Sequence, residues 1–66
     1  PGFMNTPMTK ATQANPDFMA KYCSRVPLGR IGQPEELVGP VVFLASAAAS
    51  YVTGVTLPID GGYVAT

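Results

Sequence analysis

The sequence predicts an α/β fold in which these 66 residues are the closing helix and strand of a parallel sheet, a C-terminal segment and not an independent fold. Three observations carry this expectation. Residues 52–59 (VTGVTLPI) are rich in β-branched side chains and are stopped by Asp60, Gly61 and Gly62, the pattern of a strand and its terminating turn. An apolar segment with helical spacing precedes that run directly, and helix followed by strand is the half-unit of parallel sheets. No partner strand is evident within the chain, yet a lone strand leaves a row of backbone donors and acceptors unpaired. The sheet that receives residues 52–59 is therefore expected from polypeptide outside this sequence.

Residues 1–9 (PGFMNTPMT) are irregular and punctuated by proline and glycine, with Pro1 and Gly2 forming the turn after a preceding element. A helical turn is expected over residues 8–14. Asn15 is placed to cap a helix over residues 16–24, because Pro16 suits the first helical position and the charge of Asp17 suits the first turn. Phe18, Met19 and Tyr22 fall on or near one face of it. Residues 25–32 (RVPLGRIG) form a connector, broken by Pro27 and two glycines.

The main helix is expected over residues 34–46, beginning after Gln33 with Pro34, Glu35 and Glu36 in its first turn. Leu37, Val41, Leu44, Ala45 and Ala48 recur at helical spacing, and Val38, Val42 and Phe43 extend the apolar surface around most of the circumference. Such a helix is buried on more than one side. One side should meet the sheet, the other a further helix or a second subunit. Pro40 removes a hydrogen bond and crowds the carbonyl of Glu36, so a kink is expected near residues 36–40.

Four basic and four acidic residues, spread without blocks, give zero formal net charge. That composition argues against a nucleic-acid or anionic-membrane surface. The longest apolar run, residues 38–49, is too short for a membrane span and is interrupted by Pro40 and Ser46. Cys23 is the only cysteine and there is no histidine, so neither an intrachain disulfide nor a metal site is expected. Cys23 is read as a small half-buried helix residue, and a single unpaired thiol fits a reducing, cytoplasmic setting.

The order PGxxxT (residues 1–6), PLGRxGxPEEL (27–37), FLAS (43–46), SYVTG (50–54) and DGG (60–62) covers essentially the whole chain. It resembles the C-terminal part of the short-chain dehydrogenases/reductases. Within that family, LVGPVVFLAS at residues 37–46 and Tyr63 after DGG are most similar to the sugar-acid (2-deoxygluconate and 2-dehydro-3-deoxygluconate) and polyol dehydrogenases. The oxoacyl thioester reductases share the general motifs and remain a second reading. A catalytically dead relative serving as an assembly partner is a third.

The resemblance implies a Rossmann-type doubly wound parallel sheet, with residues 1–24 supplying a nicotinamide-contact turn and substrate lid and residues 33–66 the last helix and strand. It implies hydride transfer between NAD or NADP and a secondary alcohol or ketone of a small-molecule substrate. The family's catalytic tyrosine, lysine and serine lie upstream of the PG turn. None of Tyr22, Tyr51 and Tyr63 is followed four residues later by lysine, and no Gly-x-Gly is present, so neither the catalytic residues nor the dinucleotide fingerprint is expected here.

What the resemblance assigns to this chain is the nicotinamide end of the cofactor site. Gly2, lacking a Cβ, would let backbone approach the ring. The N–H of Met4 and the hydroxyl of Thr6 would complement the carboxamide, which has both donors and an acceptor. Without the resemblance, Thr6 would be read as a cap on the turn ahead of Pro7. Met8, in the lid, is the candidate substrate contact. Arg30 is read as a structural pair or cap, and Asp60 as the initiator of its turn. The resemblance also implies an N-terminal segment of the same enzyme as partner, and a homodimer or homotetramer formed through the 34–46 helix and the 55–59 strand.

Overall fold

The computed structural model describes all 66 residues. A 3-10 turn (Pro7–Thr9) leads into a one-turn helix α1 (Lys10–Gln13) and then α2 (Pro16–Ser24). A second 3-10 turn (Pro34–Leu37) runs into α3 (Val38–Ala45), followed by 3-10 turns at Ala47–Ala49 and Tyr63–Ala65.

Helix α2 begins as its local chemistry requires. Asn15 has extended backbone, and its side-chain oxygen accepts from the Phe18 N–H at 3.1 Å, while Pro16 occupies a position whose N–H would have no partner. The aromatic face of α2 then ties both ends of the chain together. Tyr22 packs on Phe3 (centroids 5.2 Å apart) and stacks on Tyr63 (5.3 Å, 14° between planes). Its hydroxyl accepts from the Phe3 N–H at 3.3 Å, and the Arg25 guanidinium lies 5.3 Å from the Tyr63 ring centroid. Phe18 joins the same cluster, so these aromatics pack with one another. Cys23 is half-buried in α2.

The single helix expected over residues 34–46 is instead two pieces. The first turn is 3-10, and α-helical geometry starts only at Val38. Pro40 is thus the third residue of α3, inside the first turn, where an N–H has no intrahelical acceptor to lose. The cost expected of an interior proline is avoided by the change of helix type just before it. Arg30 and Glu36 brace the junction through two bonds of 2.8 and 2.9 Å, and Glu36 also accepts from the Gln33 N–H at 2.8 Å.

Residues 52–59 do not form the expected strand. The only β-pairing in the chain is an isolated parallel bridge between Met4 and Gly32, and residues 52–58 are exposed without a ladder. A strand is defined by bonds to a neighbour, and no neighbour is offered. The segment ends as read from its sequence: Asp60 accepts from the Gly62 N–H (2.9 Å) and the Val64 N–H (3.0 Å), with Gly61 and Gly62 at φ of 67° and 97°. These N–H groups, Val64 foremost, hold the Asp60 carboxyl below the usual carboxylate range.

Only Met4, Val26 and Ala49 are buried, and the accessible surface is 4909 Å². A compact monomer of 6.9 kDa exposes roughly 4,000 Å². The radius of gyration is 14.0 Å, against about 11 Å for a compact domain of this length. Helix α3 buries no residue, and Val38, Val41, Val42, Phe43 and Leu44 are all exposed. Its apolar surface has no cover within the chain. No helix is long and apolar enough to cross a membrane.

Candidate functional site

The Met4–Gly32 bridge decides where the Met4 backbone points. Gly32 donates to the Phe3 carbonyl and Asn5 donates to the Gly32 carbonyl, both at 2.9 Å. In parallel pairing of this kind the bonds come from the residues flanking Met4, so the N–H and C=O of Met4 face away from Gly32. The Met4 C=O accepts from the Thr9 hydroxyl at 2.7 Å. Its N–H has no hydrogen-bond partner. The Met4 side chain, 9% exposed, holds the bridge closed, with its sulfur 2.6 Å from the position a Cβ on Gly32 would take.

Thr6 is half-buried and stands at the cap position of the Pro7–Thr9 turn. Thr6 and Thr9 form a reciprocal capping box, with the Thr6 side chain facing the Thr9 N–H: the Thr9 N–H donates to the Thr6 carbonyl at 3.0 Å, and the Thr6 N–H donates to the Thr9 hydroxyl at 3.1 Å. Beyond that cap, the Thr6 hydroxyl has a 3.5 Å approach to the Thr9 hydroxyl. An unpaired N–H donor and a hydroxyl able to donate or accept therefore lie two residues apart, and this donor set fits a primary carboxamide.

Gly2 has a reason internal to the fold. Its missing Cβ would lie 2.7 Å from the Asp60 Cβ and 2.9 Å from the Asp60 Cα, and its N–H donates to the Ile59 carbonyl at 2.9 Å. Met8 is 93% exposed. A cleft of about 660 Å³ lies between Phe3, Met4, Tyr22 and the 58–62 turn; of the four candidate positions it takes in Met4 alone. Arg30 is paired with Glu36, as expected of a structural arginine. That pair holds the Glu36 carboxyl down to about 2, first through the Arg30 hydrogen bond and then through the Gln33 N–H, and raises the Arg30 value.

Two features were not singled out from the sequence. Thr9 organises the loop, and its only signal is a hydroxyl residue three positions after a cap. Asn5 links Lys10 (2.8 Å) to Gln33 (3.1 Å), joining α1 to the start of the main helix.

A family sequence model described as enoyl-(acyl carrier protein) reductase matches residues 1–64. The chain is 46% identical over 65 residues to the 2-dehydro-3-deoxy-D-gluconate 5-dehydrogenase of Escherichia coli, covering 98% of this chain and 26% of that protein. It is 53% identical over 62 residues to a 3-oxoacyl-acyl-carrier-protein reductase of Vibrio harveyi, covering 94% of this chain and 25% of that one. In three dimensions it superposes with a TM-score of 0.91, at 42% identity, on the gluconate 5-dehydrogenase of Burkholderia cenocepacia solved with NADP and tartrate, covering 100% of this chain and 26% of that one. The chain belongs to the short-chain dehydrogenase/reductase family, and it spans about a quarter of the length of these relatives.

Proposed function

We propose that these residues are the C-terminal segment of an NAD(P)-dependent oxidoreductase acting on a secondary alcohol or ketone of a sugar acid or polyol, and that their share of the work is to orient the nicotinamide. The observation that carries this reading is the Met4 N–H without a hydrogen-bond partner, two residues before the Thr6 hydroxyl. The cofactor, when bound, supplies the hydride. Met4 N–H would donate to the carboxamide oxygen, and Thr6 Oγ would accept from its amino group. Holding that amide fixes which face of the ring meets the substrate. Gly2 would contribute by letting the Pro1–Gly2 turn close onto Asp60, which sets the start of the Met4–Thr6 segment. Met8, exposed on the lid, would meet substrate as the lid closes.

The sugar-acid reading is supported by the gluconate 5-dehydrogenase and 2-dehydro-3-deoxy-D-gluconate 5-dehydrogenase relatives. The Vibrio harveyi identity of 53% favours the oxoacyl thioester reductase as the second reading. The exposed apolar surface of α3 and the unpaired residues 55–59 support assembly with an N-terminal segment of the same enzyme and with further copies, as a homodimer or homotetramer. The lone thiol of Cys23 supports a cytoplasmic setting. Absorbance of the reduced cofactor, followed with the complete enzyme on gluconate, 2-deoxygluconate and a 3-oxoacyl thioester, tests the assignment. Turnover of the polyhydroxy acids is expected. Preference for the thioester selects the second reading, and inactivity on all three points to an assembly partner.

A further inference from the structure

The Thr9 hydroxyl lies within 3.5 Å of five polar groups, more than any other side chain around Met4 and Thr6, and within 3.1 Å of four of them. It is 2.7 Å from the Met4 carbonyl, 2.8 Å from Gln13 Nε2, 3.1 Å from the Thr6 N–H and 3.1 Å from the Thr6 carbonyl. A hydroxyl has one proton and two lone pairs. The proton goes to the nearer carbonyl, that of Met4, and the lone pairs take the Thr6 N–H and the Gln13 amide. Its capacity is then full. The Thr6 hydroxyl, 3.5 Å away, finds no capacity left on the Thr9 hydroxyl; its oxygen faces the Thr9 N–H as part of the cap, and its second lone pair stays available to a ligand. The bond to the Met4 carbonyl fixes the Met4–Asn5 peptide plane and so the course of the chain into Thr6, while the direction of the Met4 N–H is set by the Phe3 carbonyl's bond from Gly32.

Resting on the reading that Met4 and Thr6 hold the nicotinamide amide, we infer that Thr9 is the positioning residue that aims the Thr6 hydroxyl at it. Gln13, on α1, supplies the second lone-pair contact that ties this aim to the lid. On this reading Thr9 bonds the residues that hold the cofactor, not the cofactor itself. It acts by holding the Met4 carbonyl and the Thr6 N–H, which sets the loop from which the Thr6 hydroxyl projects.

The test uses the complete enzyme with Thr9→Val, which keeps the shape and removes the hydroxyl, Thr9→Ser, which restores it, Gln13→Leu, and Thr6→Ala as reference. Each is assayed for kcat/KM with the natural cofactor and with its 3-acetylpyridine analogue, whose methyl ketone lacks the amino group. Thr9→Val should lose roughly tenfold in kcat/KM with the natural cofactor, from one lost bond and the groups it leaves unpaired. It should lose much less with the analogue, so the preference between the two collapses, and Thr9→Ser should restore it. A merely structural threonine would lower both rates alike and leave the preference intact, which overturns the inference. If Thr9→Val does not fold, Gln13→Leu decides: a reduced preference supports the role and an unchanged one overturns it. Loss of the preference in Thr6→Ala but not in Thr9→Val rejects Thr9 and keeps the cofactor reading. Wild-type behaviour of both rejects the cofactor reading and the inference with it.

Discussion

Gly2 and Asp60, at opposite ends of the chain, meet so closely that a methyl group on Gly2 would sit 2.7 Å from the Asp60 Cβ. The contact includes backbone, since the Asp60 Cα is 2.9 Å from the same point, so no side-chain rotation relieves it. Gly2→Ala should therefore destabilise the complete enzyme by about 1–3 kcal/mol through overpacking. A thermal melt measures it, and an unchanged Tm would show that the two backbones separate freely.

The Arg30–Glu36 pair makes a prediction about acid. Glu36 falls from 4.5 to about 2, so its carboxylate is favoured in the folded state. That stabilisation is complete above the ordinary value and is lost as pH falls through about 2. Both side chains are exposed, so the effect on stability is small. The titration is the better readout: the Glu36 carboxyl ¹³C shift should stay constant from about pH 5 to about pH 3. Arg30→Gln should move its midpoint upward, though not fully to the ordinary value, because the Gln33 N–H still donates to the carboxylate.

The isolated 66-residue chain should not unfold cooperatively. With three buried residues and an exposed apolar α3 it lacks the core that offsets ordering entropy. Circular dichroism and hydrogen exchange on the peptide check this; a sharp melt with protected amides in α3 would contradict it.

Phe43, 42% exposed on α3, is expected to lie in a subunit interface of the assembled enzyme. Phe43→Asp would place an unpaired charge there, which is costly, and should dissociate the oligomer. Light scattering at micromolar protein resolves the two states. An intact oligomer in the variant would place the interface elsewhere.

How much of this was legible in the sequence follows from the range of each interaction. Asn15, Pro16 and Asp17 act within one turn, so α2 was readable to its ends. Arg30 with Glu36, and Asp60 with its own turn, are equally local. The strand character of residues 52–59 was visible, but a ladder depends on a partner the chain does not contain. Pro40 was misplaced because the shift from 3-10 to α geometry depends on how Glu36 is braced from Arg30 and Gln33. The contact of Gly2 with Asp60 was not legible, because nothing in its local sequence reports a residue at the other end of the chain. Thr9 escaped because its role lies in which backbone groups it occupies, and only the folded loop brings those groups to one hydroxyl.

The most direct test of the central claim is a crystal structure of the complete enzyme with its nicotinamide cofactor bound. The Met4 N–H and the Thr6 hydroxyl should lie within about 3.2 Å of the carboxamide oxygen and nitrogen respectively. Thr9 should still hold the Met4 carbonyl and the Thr6 N–H. A carboxamide bonded to other residues, with Met4 N–H and Thr6 Oγ facing solvent or each other's backbone, would contradict it.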